Sequence, residues 1–155
     1  MLDQFLHASA DSRVRLPHGG AELGIFRGRI AVHGPPVTKF AVEWSGESAL
    51  ALPHGVLEFA PACGEGIAAA ALRSAKVTVR QRVGGERMRL AADHGSRPVK
   101  RLLYDAGVAP WQRASLPFVY CNDALAAVAG IGVDAAFRAS DDAPGMVVRW
   151  HPGRA

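Results

Sequence analysis

Short apolar runs broken by turn residues set the pattern of the first sixty positions. Residues 13–16 end at Pro17-His18-Gly19-Gly20, residues 21–26 at Gly28, and residues 29–32 at Gly34-Pro35-Pro36. Residues 40–44 and 49–52, divided by Ser45-Gly46, continue the series, and Pro53-His54-Gly55 leads into residues 56–59. This spacing predicts β-strands, many of them joined as hairpins. Residues 1–10 depart from it. Leu2, Phe5 and Leu6 fall at i, i+3 and i+4, the spacing expected of the last turns of a helix begun upstream.

Residues 61–75, with two glycines, a proline and an alanine run, read as a linker or a short covering helix, so a boundary is expected there. The expected division is a strand-rich lead-in over 1–60, a linker over 61–75 and a second domain over 76–155. In residues 76–83 Val77, Val79 and, after a slip, Val83 alternate with basic positions, as in a half-buried strand with a cationic face. Gly84-Gly85 ends that strand in a turn, and the predicted hairpin carries Arg80, Arg82, Arg87 and Arg89 together. The period then changes. Pro98 suits a first helical turn, Val99, Leu102 and Leu103 follow at helical spacing, and Gly107 suits the position just past the end. Pro110 opens a second helical turn through Trp111 and Arg113, closed by Pro117. Strands are predicted again at 118–121, 125–129, 131–137 and 146–150, with turns at Asn122-Asp123, Gly130 and 141–145. The fold class is α+β, mainly antiparallel β with one or two short helices.

With 49% hydrophobic residues among 155, the chain has material for a genuine core. No apolar run approaches the roughly 20 residues of a membrane helix, and the first residues lack the basic and apolar regions of a signal peptide. Cys63 and Cys121 stand far apart with no histidine at ligand spacing, which supports neither a disulfide framework nor a zinc site. The expected compartment is the cytoplasm.

Charge changes the picture more than composition does. Residues 73–113 carry ten Lys and Arg against three Asp and Glu, whereas the flanking segments are slightly acidic. An arginine-dominated excess of that size attracts polyanions, nucleic acid first among them. Its guanidinium forks suit phosphate oxygens, and Arg80, Arg82, Arg87, Arg89, Lys100, Arg101 and Arg113 are the candidate contacts. Trp111 beside Pro110 reads as a core anchor, with stacking on an exposed base or sugar as the alternative.

The motifs of catalysis are missing from this sequence. Gly130-Ile131-Gly132-Val133-Asp134-Ala135 fits G-x-G-x-x-A in letters only, because no strand-to-helix context surrounds it. The six histidines stand singly, mostly beside glycine or proline, and read as turn residues. No phosphate-binding P-loop, HExxH or GxSxG occurs.

The order of Arg82-Val83-Gly84-Gly85-Glu86-Arg87, then the stretch from Lys100 through Leu102-Leu103, Gly107 and Pro110-Trp111-Gln112-Arg113, then Leu116-Pro117-Phe118-Val119-Tyr120 and Ala129-Gly130-Ile131-Gly132-Val133 resembles the C-terminal domain of bacterial tRNA(Ile)-lysidine synthetase. Trp44 with Leu52-Pro53-His54-Gly55 looks like an upstream stretch of the same family, and residues 1–33 look like the end of its middle domain. The resemblance implies a β-sandwich of unusual topology, similar to a domain of the phenylalanyl-tRNA synthetase β subunit. It implies binding of an isoleucine tRNA with a CAU anticodon near its acceptor stem. In the family, lysine is ligated to the wobble cytidine with ATP by a domain bearing an SGGxDS loop. That loop does not occur in this sequence, so the chain is expected to be inactive alone, to need no cofactor of its own, and to work with catalytic domains outside it. The alternative is a non-catalytic β-domain that docks an acidic protein partner, the missing domains included; homodimerisation stays open.

Overall fold

The computed structural model describes residues 12–15, 22–33 and 39–153. The helical pattern of residues 1–10 and the turns at 17–20 and 34–36 lie outside them. The first described unit is a meander of β1 (Ser12–Arg15), β2 (Glu22–Phe26) and β3 (Arg29–His33). Arg27 and Gly28, at φ 51° and 75°, form the two-residue turn between β2 and β3. Positive φ at both positions matches the turn to the twist of the paired strands.

Two further sheets face each other. One has the order β13-β12-β11-β8-β4, built from β4 (Ala41–Trp44), β8 (Val77–Arg80), β11 (Phe118–Cys121), β12 (Ala124–Val128) and β13 (Gly132–Val133). The other has the order β5-β6-β14-β7, from β5 (Ala49–Leu52), β6 (Gly55–Cys63), β14 (Pro144–Pro152) and β7 (Ile67–Ala68). All their ladders are antiparallel. Strands from both sides of residues 61–75 share both sheets, and that stretch holds the end of β6, all of β7 and α1 (Ala69–Ser74).

Strand β11 shows why the molecule has three layers. All four of its residues are buried, yet alternate side chains enter different cores. Val119 and Cys121 join Leu57, Phe59, Ile67, Val77 and Val79 between the two sheets. Phe118 and Tyr120 point the other way, into a core with Met88, Val99, Leu102 and Leu103. A strand covered on both faces must be apolar throughout, which the sequence Phe-Val-Tyr-Cys is.

The second core lies beneath α2 (Val99–Asp105) and α3 (Pro110–Arg113). Val99, Leu102 and Leu103 are the buried stripe of α2, at the predicted positions. Gly107, at φ 80°, ends the helix: its N–H donates to the Tyr104 carbonyl at 3.0 Å and that of Val108 to Leu103 at 2.9 Å. This pair of bonds is a Schellman motif, which favours glycine because the left-handed conformation carries no Cβ penalty there. Gly145 is required for another reason, since a Cβ on it would lie 2.0 Å from the Glu65 carbonyl oxygen.

Most predicted strands and both predicted helical turns are present, with two differences. The strand expected over 131–137 is only Gly132–Val133; Asp134 ends it by accepting the Ala136 N–H on its side chain at 2.9 Å. The hairpin expected around Gly84-Gly85 does not form. β8 pairs instead with β4 and β11, while β9 (Arg87–Met88) pairs with β10 (Arg97–Pro98). Both edges of β8 are taken by sequence-distant strands.

Candidate nucleic-acid interface

The outer face of the five-stranded sheet, together with α2, carries most of the predicted cations. Val77 and Val79 of β8 enter the inter-sheet core, so Arg80 projects to the opposite, helical side. There its guanidinium lies 3.9 Å from the centre of the Tyr120 ring, a cation–π contact. The chain then leaves the sheet and forms the loop of Arg82 to Arg87.

One carboxylate organises this loop. Glu86 accepts the N–H groups of Val83 at 2.6 Å and Gly84 at 2.8 Å, and lies 3.5 Å from the Tyr120 hydroxyl, at the long limit of a hydrogen bond. Its carbonyl accepts the N–H of Val99 at 2.9 Å, which ties the loop to the first residue of α2. Gly84 and Gly85, at φ 115° and 81°, supply the backbone conformation that lets a side chain reach back to amides just before it. Val83 is left 78% exposed at the tip.

Burial pushes the Glu86 carboxyl up, but N–H bonds from Val83, Glu86 itself and Gly84, with the charge of Arg82, outweigh burial and hold it below its ordinary 4.5. A carboxyl lowered on folding stabilises the fold above its unfolded pKa and loses that contribution as pH falls through the folded one. The clasp is therefore complete at neutral pH and weakens below 4.5. Glu86→Gln is expected to flatten this part of the acid dependence, as read from melting temperatures between about pH 7 and about pH 3. An unchanged acid profile in the variant would show that the carboxylate charge does not hold the loop. Burial pushes the Tyr120 hydroxyl up, with Glu86 adding to the effect, which keeps its proton available to that carboxylate.

The remaining cations surround this loop. Arg87 donates to Ser96 through Nε at 3.1 Å and through its terminal nitrogen to the Ser96 carbonyl at 2.9 Å. Arg97 and Arg101 both reach Asp105, at 2.8 and 3.2 Å. Such exposed pairs hold the side chains only weakly, leaving donors for a phosphate. Lys100 and Arg89 are exposed and have no side-chain hydrogen bond or ion pair among the described residues. Arg97, absent from the predicted contacts, joins the group because β10 brings it beside β9 and α2.

Arg113 does not join it. It is only 7% exposed, its Nε donates to the Val108 carbonyl at 3.0 Å, and its guanidinium lies 5.7 Å from the Phe26 ring centre. It holds α3 against the turn after α2 instead of facing solvent. Trp111 packs edge-on to Phe26 at 6.4 Å, in keeping with its reading as an anchor. Arg27 extends the same corner, donating to the Tyr104 carbonyl and covering the Tyr104 ring at 4.9 Å.

No group of three or more His, Cys, Asp or Glu side chains among the described residues is placed to hold a metal ion. No helix among them is long and apolar enough to cross a membrane. Gly130 lies in the turn between the antiparallel strands β12 and β13 and Gly132 is the first residue of β13, not between a strand and a helix, so the dinucleotide fingerprint stays one of letters only.

A double-sheet α+β domain that presents a clustered cationic face defines the class of this molecule. The profile of the family described as "TilS substrate C-terminal domain" matches residues 77–150. The likeness to that family is carried by this segment, just under half of the chain. The tRNA(Ile)-lysidine synthase of Nitrosomonas europaea is 42% identical over 115 residues, which cover 73% of this chain and 25% of that protein. The tRNA(Ile)-lysidine synthase of Ralstonia nicotianae is 33% identical, over 96% of this chain and 35% of its own length. The chain thus spans about a third or less of the curated relatives named here. A solved structure described as the TilS C-terminal domain superposes with a TM-score of 0.62 at 21% identity, covering 76% of this chain and 100% of that one, a likeness of fold.

Proposed function

We propose that this chain is a tRNA-holding module of a tRNA(Ile)-lysidine synthase. Its α2-side face binds the acceptor-stem backbone of an isoleucine tRNA with a CAU anticodon. The observation that carries this reading is the gathering of Arg80, Arg82, Arg87, Lys100 and Arg101 around the Glu86 loop, within the segment that matches the family. Arg89 follows Arg87 at the alternate position beyond Met88 and extends the face. An A-form stem offers its phosphates and 2′-hydroxyls, while its deep major groove is closed to side chains, so a rigid array of guanidinium groups suits it. Ligation of lysine with ATP belongs, on this reading, to a segment with an SGGxDS loop.

Filter binding of the chain to that tRNA across a salt series tests the proposal. Six phosphate contacts give a log–log slope of about −4 to −5, at about 0.7 to 0.9 per contact. Affinity that is independent of salt, or undetectable at low salt, would refute the reading.

A further inference from the structure

The cationic face does not stop at the boundary of the family match. Lys39, just before β4, lies across a groove of about 450 Å³ from Arg80 and Arg82, with Phe40, Gln81 and Val83 in its walls. β4 is the edge strand of its sheet, and its Ala41 pairs with Arg80, which brings Lys39 beside the start of the Glu86 loop. The side-chain oxygen of Gln81 accepts the Phe40 N–H at 3.0 Å and fixes this approach. The Nε atoms of Arg80 and Arg82 are both buried without a hydrogen-bond partner among the described residues. Both side chains are part-exposed and line the groove, so their terminal nitrogens, not the buried Nε atoms, are the donors open to a ligand there.

We infer that Lys39, Arg80 and Arg82 form a pocket for one backbone phosphate of RNA, so that a residue outside the 77–150 match takes part in binding. Arg80 is held in place by the Tyr120 ring and Arg82 by the clasped loop, so two of the three cations are positioned before the ligand arrives. Pre-positioned donors lose less side-chain entropy on binding than free ones. Lys39 closes the third side as a mobile point charge. The groove is open on one side, as a phosphate that stays in its chain requires.

This inference rests on the proposed tRNA binding, and its test separates the two. Filter binding of the CAU-anticodon isoleucine tRNA is measured for the chain, for Lys39→Glu, for Lys39→Gln and for Arg149→Glu. Arg149 lies on β14 in the other sheet, and its variant matches the charge change of Lys39→Glu. Lys39→Glu is expected to weaken binding about tenfold near physiological salt, and Lys39→Gln to lower the salt slope by about 0.7 to 0.9. Arg149→Glu should leave that slope unchanged. Equal effects of the two charge reversals would overturn the phosphate pocket while leaving tRNA binding intact. Failure of the unmodified chain to bind would overturn both. Lys39 is exposed, so unaltered melting of its variants checks that the comparison is between folded proteins.

Discussion

Lys100→Glu combined with Arg101→Glu is expected to reduce affinity for the CAU-anticodon isoleucine tRNA by about a hundredfold or more, without unfolding the chain. Removing two phosphate partners lowers the log–log salt slope by about 1.4 to 1.8, and the two new carboxylates add repulsion against the phosphates. Folding should survive because the apolar stripe of α2 is Val99, Leu102 and Leu103, whereas Lys100 and Arg101 lie on its exposed side. Among the described residues the native contacts disturbed are the pair of Arg101 with Asp105 at 3.2 Å and the cation–π contact of Arg101 with the Tyr104 ring at 5.7 Å; these side chains are exposed, so the loss is minor. Filter binding and thermal melting of the same preparation give both readouts. Undiminished tRNA affinity with loss of assembly onto a catalytic domain or another acidic protein would transfer this face to protein docking.

The parts of the fold that were legible in the sequence are those set by local chemistry. Val99, Leu102 and Leu103 mark the face of α2, and Gly107 marks its end, because helical period and the left-handed cap act within one or two turns. Asn122 at φ 54° likewise places the β11–β12 turn where Asn-Asp predicts it. The failures concern partnership. Alternation identified β8 as a strand, but no local signal says that β4 and β11 take both its edges, and this leaves no edge for a Gly84-Gly85 hairpin. The four arginines still gather around the loop, by a different route: the Glu86 carboxylate holds amides that a hairpin ladder would have paired. Charge counting missed Lys39 because its neighbours in sequence are not basic; it reaches the site through the β4–β8 register alone. The motif Arg-x-Gly-Gly-Glu-Arg did contain a usable signal, a carboxylate just after paired glycines, where reach-back to preceding amides is sterically open.

The same distinction fixes the expected behaviour of Arg113. Counted as charge, it belongs with the polyanion contacts; by position, it is a structural residue. Replacement by alanine removes a charge-assisted bond to the Val108 carbonyl and a guanidinium that fills space against Phe26. A hydrogen bond to a charged group contributes about 1.5 to 3 kcal/mol, and leaving the part-buried carbonyl without this donor adds to the loss. Arg113→Ala is therefore expected to destabilise the fold by about 3 kcal/mol, seen in denaturant or thermal unfolding. Arg113→Lys should recover only part of this, because an ammonium is a point charge on a flexible stem and lacks the planar fork that lies flat in a packed site. The tRNA salt slope of the folded variant, measured well below its melting temperature, should stay that of the unmodified chain. A slope lower by about 0.7 to 0.9 with unchanged stability would return Arg113 to the phosphate contacts and refute the packing role.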